Sequence, residues 1–230
     1  MIKHAPKPAR AASQPTRGFG MVETMLGIAV ATVVLAGMAT VLADGQRELR
    51  AKNVAEQHTA FMTAAGNFFL ANRPAMLKAM EDGTGANDYC VVGANPATGV
   101  GGTTANSTAL HTCALDVDWL KWKQAIPSNF RASNVHSQRL VAIFKRVYDG
   151  ATATDAAEML AVGADVGGTA NSVQSLRELQ AGAELMGGSG GYVPDKDRVV
   201  CTYDTGSSTY QACGTQGGWQ VDLKQFVSTL

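Results

Sequence analysis

Two features near the N-terminus could take part in chemistry: the Gly18–Phe19 peptide bond and the carboxylate of Glu23. An uncharged apolar stretch, residues 24–43, follows Glu23 and is long enough to cross a bilayer. A carboxylate beside hydrocarbon is costly, by about 2.5–3.5 kcal/mol at mid-helix and less near the interface. Glu23 is therefore expected to have a cationic partner. A cut after Gly18 would provide one, because Phe19 would then carry a free amine and Glu23 would be the fifth residue of the mature chain.

The residues before this cut have the composition of a leader. Residues 1–18 contain no acid and four bases, Lys3, Lys7, Arg10 and Arg17. The positive-inside rule predicts a cytoplasmic N-terminus, which would put everything after Ala43 in the periplasm or outside the cell. Without the leader, 15 basic and 19 acidic residues remain, a net charge of −4. No broad basic surface for nucleic acid is expected.

One long helix is predicted from Phe19 to about Asn72. Its first half is apolar, and after Ala43 the pattern becomes amphipathic. Apolar residues then recur seven, four and three positions apart, at Val54, Phe61, Ala65 and Phe68. Pro74 interrupts the pattern. The predicted organisation is a leader at 1–18, an N-terminal helix at 19–73 with its transmembrane part at about 24–43, and a globular head at 74–230.

The head is expected to be of mixed α and β structure. The segment 139–148 is rich in β-branched and aromatic residues, which predicts a central strand. Apolar spacing predicts helices at 115–124 and 172–185. The segment 156–162 fits either a strand or a helix. The last strands are expected at 198–203 and 218–227. The predicted fold class is therefore α+β, with a long N-terminal helix whose second half packs on an antiparallel sheet.

The cysteines fit an oxidising compartment. There are four, Cys90, Cys113, Cys201 and Cys213. Three connectivities are possible, and the local pairs Cys90–Cys113 and Cys201–Cys213 are favoured because each pair lies close in sequence. A disulfide that closes a loop of this size typically stabilises a fold by about 2–4 kcal/mol.

The N-terminal pattern resembles the type IV pilins and pseudopilins. Their processing site has a basic leader, a Gly, a large apolar residue and a Glu at mature position five, which Gly18, Phe19 and Glu23 match. The resemblance implies that a prepilin peptidase cuts after Gly18 and methylates the new amine. It also implies that Glu23 pairs with the N-terminus of a neighbouring subunit. The leader is about as long as in type IVb prepilins.

A second resemblance covers most of the mature chain more loosely. The glycine-rich run 183–193, the later Gly217-Gly218-Trp219 and Asp222-Leu223, and the run 115–120 look like the N-terminal domain of PilV-type minor pilins of type IVb conjugative pili. This implies a low-copy subunit that primes assembly or lies at the pilus tip.

Other motifs have simpler interpretations. The Gly187–Gly191 run matches the Gly-x-Ser-x-Gly nucleophile elbow, but that motif needs a strand before it and a helix after it. Here a predicted helix precedes the run, so it is interpreted as a turn. His111 and Cys113 lack the second close pair of a zinc site. Asp195-Lys196-Asp197 lacks the Gly and Glu of a calcium loop. No catalytic residue, metal or cofactor is expected, and the protein is not expected to be an enzyme.

The sequence thus predicts a structural pilus subunit of type IVb kind, held in the inner membrane as a precursor and then assembled into an extracellular filament. Expected partners are other pilin subunits, the prepilin peptidase and, through the exposed loops 93–104 and 204–217, a recipient or host cell surface in conjugation or adhesion. Two alternatives stay open. One is a type II secretion pseudopilin. The other is a secreted periplasmic protein whose signal peptide ends before Asp44.

Overall fold

The computed structural model describes residues 21–165, 173–193 and 211–226. These residues form an α+β structure of long and short helices and antiparallel sheets. The chain divides into two units, Met1–Gly45 and Gln46–Leu230. Among the sequence-based expectations, the cleavage site at Gly18 and Phe19, the strand 198–203 and Cys201 lie outside the described residues.

The long N-terminal helix is present. Helix α1 spans Met21–Ala71. At Asn72 the backbone leaves the helical region (φ −117°, ψ 17°), and the Asn72 side-chain amide donates to the Phe68 carbonyl oxygen at 2.9 Å. Helix α2, Arg73–Asp82, begins at once, with Pro74 in its first turn. Proline is tolerated there because the first N–H groups of a helix have no partner within it. The predicted break at Pro74 is therefore the start of a new helix.

The main sheet follows. Its strands are β3 (Asn106–Ser107), β4 (Thr112–Asp116), β5 (Gln138–Asp149) and β6 (Thr152–Asp165), in the order β3-β4-β5-β6 and all antiparallel. The predicted central strand at 139–148 is confirmed as β5, which lies between β4 and β6. The ambiguous segment 156–162 is strand. Helix α3 (Ala86–Tyr89) leads into a two-stranded sheet of β1 (Val91–Val92) and β2 (Thr103–Thr104).

The predicted helix at 115–124 was wrong at both ends. Leu115 and Asp116 belong to β4, and helix α4 spans only Val117–Trp122. Asp116 has extended backbone (φ −118°, ψ 177°), and its carboxylate accepts a hydrogen bond from the Trp119 N–H. This is an N-cap, which fixes the start of the helix one residue later. At the other end, Gln124 has a positive φ of 58°, which a helix cannot continue through.

The C-terminal part contains helix α5 (Val173–Leu185), a 3₁₀ turn (Gly187–Ser189) and a small sheet. The sheet has the order β7 (Gly191–Tyr192), β8 (Gln211–Gly214) and β9 (Gln220–Asp222). The predicted helix at 172–185 is confirmed in its described part. The predicted strand at 218–227 was too long. It ends because the Asp222 carboxylate accepts from the Lys224 N–H at 3.0 Å and starts a 3₁₀ turn, Leu223–Gln225.

The core of the second unit lies between α1 residues 46–71, α2, α4 and the main sheet. The predicted apolar stripe of α1 is confirmed, since Val54, Phe61, Ala65 and Phe68 are all buried. Phe69 of α1 stacks on Phe144 of β5 with ring centroids 5.0 Å apart. The largest other fully buried side chains are Met76, Met80, Leu115, Leu120 and Leu140. Burial of such side chains contributes about 1.5–3 kcal/mol each.

Candidate functional site

The first unit presents an apolar helical surface. Within α1, Met25, Leu26 and every side chain from Ile28 to Arg50 are exposed. Large apolar side chains point to all sides of the helix, among them Met25, Leu26, Ile28, Val30, Val33, Val34, Leu35, Met38, Val41 and Leu42. No charged residue lies between Thr24 and Ala43. Among the described residues this is one helix long and apolar enough to cross a membrane, by length and composition.

The described hydroxyl groups of this apolar segment, residues 24–43, are satisfied within the helix. The Thr32 hydroxyl donates to the Ala29 carbonyl oxygen and the Thr40 hydroxyl to the Gly37 carbonyl oxygen, each at 2.8 Å. In hydrocarbon an unsatisfied polar group costs several kcal/mol, so this arrangement suits a dry environment. A Cβ at Gly37 would meet no atom within 4 Å, so the helix surface there is open to a neighbour.

The predicted processing and assembly residues lie at or before the first described residues of this helix. Glu23 is the third described residue of α1. Gly18 and Phe19 lie outside the described residues, so the cut between them stays a prediction.

The second half of α1 is different, because it is held to the rest of its unit by one face. Besides the apolar stripe, two neighbouring polar side chains bind backbone carbonyl groups. The Gln57 amide donates to the carbonyl oxygens of Arg131 and Ser133, at 2.9 and 3.1 Å. Nε2 of His58 lies 3.0 Å from the Ala161 carbonyl oxygen of β6. Burial lowers the pKa of His58, although that backbone hydrogen bond acts to raise it. The lowered pKa favours the neutral ring, with Nε2–H as the donor.

A buried carboxylate organises the β4–α4 corner. Asp116 is fully buried. Its Oδ1 accepts from the Trp119 N–H at 2.9 Å and its Oδ2 from the Gly93 N–H at 2.7 Å, with Arg139 Nη1 3.8 Å from Oδ2. Burial raises the pKa of Asp116, although the two N–H donors oppose this. Sequence reasoning missed both parts of this role. The cap on the Trp119 N–H is a local signal, an Asp three residues before it, that was overlooked because the helix was predicted to begin at 115. The hydrogen bond from Gly93 joins residues 23 positions apart and has no local signal.

One predicted disulfide is confirmed. Cys90, just before β1, is bonded to Cys113 in β4, and both are buried. The bond ties the small β1–β2 sheet to the main sheet. Cys113 is therefore not available to form a metal site with His111. Cys213 in β8 is also disulfide-bonded, and because Cys201 lies outside the described residues the Cys201–Cys213 pairing stays a prediction.

The glycine-rich run and the later Gly-Gly-Trp motif come together. The Trp219 ring lies against Gly191 and Gly214, and its Nε1–H donates to the Gly188 carbonyl oxygen at 3.0 Å. Helix α5 precedes the run and β7 follows it, the reverse of a nucleophile elbow. The run therefore serves as a turn that a tryptophan covers, in agreement with its interpretation from sequence.

The loop 93–104 is described in full, whereas only residues 211–217 of the loop 204–217 are described, as strand and 3₁₀ turn. Residues 211–214 are buried as strand β8, so the expected exposed loop was wrong there. Gly99 has a φ of +68° and lies directly on the Trp122 ring, where a Cβ would be 2.5 Å from Nε1. The neighbouring Val100 side chain is exposed. The part of the chain that the structure describes contains no group of three or more His, Cys, Asp or Glu side chains able to hold a metal ion.

Comparison with protein-family models, with curated proteins and with solved structures finds no significant match for this chain.

Proposed function

We propose that this protein is a pilin-type filament subunit, of the minor kind found in type IVb pili. It is held in the inner membrane by residues 24–43, cut after Gly18 and then packed into an extracellular filament. The head would carry the surface that meets other subunits or a target cell. The proposal joins the processing pattern of Gly18, Phe19 and Glu23 to the physical character of α1.

The observation that carries the proposal is the contrast along α1. Residues 28–50 bury no side chain within the chain, whereas residues 51–69 bury one stripe of apolar residues. Leaving some ten large apolar side chains in water would cost about 1.5–3 kcal/mol each. Lipid would cover them first and the helices of neighbouring subunits afterwards. A helix covered by the rest of its own chain would need neither lipid nor a neighbouring subunit to cover it.

The mature N-terminus tests this proposal. Protein isolated from its own cells is analysed by mass spectrometry of the N-terminal peptide. A methylated Phe19 supports the proposal. A chain that begins at Asp44 supports the secreted protein with an ordinary signal peptide, and a chain that retains residues 1–18 supports a plain membrane anchor. Either of these two results overturns the proposal.

A variant with a blocked cleavage site provides a second test. Gly18→Val should retain the leader and run about 2 kDa heavier, in proportion to 24.0 kDa for 230 residues. Gly20→Val, two residues further on, is the matched control and should be cut normally. An unchanged mature mass in Gly18→Val would contradict the assigned site. A type II secretion pseudopilin would share this processing, and recovery of the protein in extracellular pili rather than in the cell envelope separates the two.

A further inference from the structure

Two ties join the same two segments of the chain, residues 90–93 and strand β4. The first is the Cys90–Cys113 disulfide, which holds the two Cα atoms 5.0 Å apart. The second is the hydrogen bond from the Gly93 N–H to Oδ2 of Asp116, at 2.7 Å. In each segment the second tie lies three residues after the first. The covalent bond therefore limits how far Gly93 can move from Asp116.

The Asp116 carboxylate needs the Gly93 N–H because it is fully buried. Nη1 of Arg139 lies 3.8 Å from Oδ2, which is too far for a hydrogen bond. A buried carboxylate oxygen without a hydrogen-bond donor is strongly disfavoured. If Gly93 moved away, the carboxylate would turn towards water to regain a donor, and Oδ1 would leave the Trp119 N–H to which it is now bonded.

Helix α4 depends on this carboxylate. Oδ1 of Asp116 caps the Trp119 N–H, and the helix has only six residues, Val117–Trp122. So short a helix does not persist without its contacts to the rest of the fold, because the first turn of a helix is unfavourable by itself. Loss of the cap should therefore loosen α4 as a whole.

The other end of α4 returns to the loop 93–104. The Trp122 ring lies on Gly99, where a Cβ would be 2.5 Å from Nε1. The side chains of Trp122 and Val100 are 40% and 70% exposed. The position of α4 therefore decides which apolar side chains this corner of the head presents to a partner.

We propose that the Cys90–Cys113 disulfide and the Asp116 carboxylate act together as a redox-dependent latch. Formation of the disulfide takes two electrons and two protons from the two thiols. A second disulfide, the oxidant, takes them up by thiol–disulfide exchange and becomes two thiols. The oxidised latch holds Gly93 on Asp116 and fixes α4. In the reduced chain these contacts loosen, whereas the ladder between β5 and β6 keeps its structure.

The latch uses only residues of the second unit, so it does not depend on the proposed function of the chain. Its consequence is that the surface of the loop 93–104 and Trp122 takes its final form only after oxidation. A chain in a reducing compartment would present this corner in a loosened form.

Hydrogen exchange of single amides tests this proposal, measured by NMR on the full chain in detergent micelles. In the double variant Cys90→Ala and Cys113→Ala, the protection of the Gly93 and Trp119 N–H groups should fall at least about tenfold. A disulfide that closes a loop of this size typically shifts an equilibrium by about thirtyfold or more. The amides of β5 should change by less than about threefold.

The result at Trp119 decides between a latch and a simple loop closure. Loss of protection at Gly93 without loss at Trp119 would overturn the proposal, as would unchanged protection at both. An equal loss in β5 would mean global loosening and would overturn it too. The double variant Cys201→Ala and Cys213→Ala, which removes the other predicted pair, is the matched control and should leave both amides unchanged.

Linkage provides a second test, which does not need the cysteine variant to fold. If the disulfide favours the contact between Gly93 and Asp116, the contact must favour the disulfide by the same factor. Asp116→Asn keeps an oxygen that can cap the Trp119 N–H, but its NH₂ group cannot accept a hydrogen bond from Gly93. The equilibrium between the Cys90–Cys113 disulfide and dithiothreitol should therefore shift towards the thiols by at least about tenfold.

Alkylation of the free thiols followed by mass spectrometry measures this equilibrium. Asp155→Asn, at an exposed position of β6, removes the same charge and should leave it unchanged. The disulfide of Cys213 is the internal control in each variant. An unchanged equilibrium of Cys90–Cys113 in Asp116→Asn would overturn the proposal, and so would an equal shift of the disulfide of Cys213.

Discussion

The Trp219 ring lies so close to Gly214 that a Cβ on this glycine would be 2.6 Å from Cδ1 of the ring. Gly191 faces the same ring from the neighbouring strand, and Gly188 accepts the hydrogen bond of the indole N–H. A flat aromatic side chain thus covers backbone from two segments far apart in sequence. The glycines are required here for space, because neither Gly191 nor Gly214 has a positive φ.

Substitution of Gly214 by Ala should therefore destabilise the small C-terminal sheet. The added methyl group overlaps the ring, and overpacking of this kind costs about 1–3 kcal/mol. Urea unfolding followed by Trp fluorescence measures the loss. Gly188→Ala is the control, because a Cβ at Gly188 meets nothing within 4 Å.

A double-mutant cycle checks that Trp219 is the cause of this loss. In the Trp219→Ala background the cost of Gly214→Ala should be much smaller, since the overlapping ring is gone. The same cost in both backgrounds would show that the ring is not responsible. Far-ultraviolet circular dichroism replaces fluorescence as the readout in this background.

Asp116 provides a second test, because two backbone N–H groups depend on its carboxylate. In Asp116→Ala the N–H groups of Gly93 and Trp119 lose their acceptors and α4 loses its N-cap. The expected destabilisation is about 2–4 kcal/mol. Denaturant unfolding measures it. Asp155→Ala, at an exposed position of β6, should change stability by less than about 0.5 kcal/mol. A similar small change in Asp116→Ala would contradict the assigned role.

The sequence predicted the elements that depend on local pattern. The α1 stripe from Val54 to Phe68 follows helical spacing, and the strand β5 follows β-branched and aromatic composition. The pair Cys90–Cys113 followed from closeness in the chain. Such features could be found because each depends on residues within one element or one loop.

Features that depend on distant partners could not be predicted. The carboxylate of Asp116 accepts a hydrogen bond from the N–H of Gly93, 23 residues earlier. No periodic pattern in the sequence indicates that contact. The start of α4 was misplaced because Leu115, Trp119 and Trp122 have helical spacing, although Asp116 caps the helix after Leu115. The contact between His136 and Glu178, whose Nε2 and Oε2 atoms lie 3.7 Å apart, likewise joins a turn and a helix that only the folded chain brings together.

His58 predicts a pH dependence of the stability of the whole head. Its pKa in the folded state lies below the ordinary value of 6.5 because the ring is buried. The unfolded chain therefore binds a proton more readily, and the free energy of unfolding should fall as the pH falls below about 6.5 towards the folded pKa. Above 6.5 this contribution is fully present.

Thermal unfolding of His58→Gln across the same pH range measures the effect. The glutamine amide can still donate to the Ala161 carbonyl oxygen, but it does not titrate. The slope of stability against pH should therefore be smaller than in the wild type, and it should decrease further when His136→Gln is added, because burial also lowers the pKa of His136. An unchanged slope in the double variant would mean that other groups govern the acid response.

The carboxylate of Glu23 should matter for assembly and not for insertion. In Glu23→Ala the apolar segment 24–43 is unchanged, so membrane insertion and cleavage after Gly18 should proceed as in the wild type. The amine of a neighbouring Phe19 would lose its anionic partner in a water-poor environment, where removal of one member of a charged pair costs about 2–5 kcal/mol. The amount recovered in sheared filaments should fall at least about tenfold, which corresponds to 1.4 kcal/mol.

Glu48→Ala, at an exposed acid on the same helix beyond the apolar segment, is the matched control and should assemble normally. Glu23→Asp, which keeps the charge but shortens the side chain, should recover part of the loss. Normal filament incorporation of Glu23→Ala, with the membrane pool unchanged, would show that the carboxylate pairs with no amine during assembly.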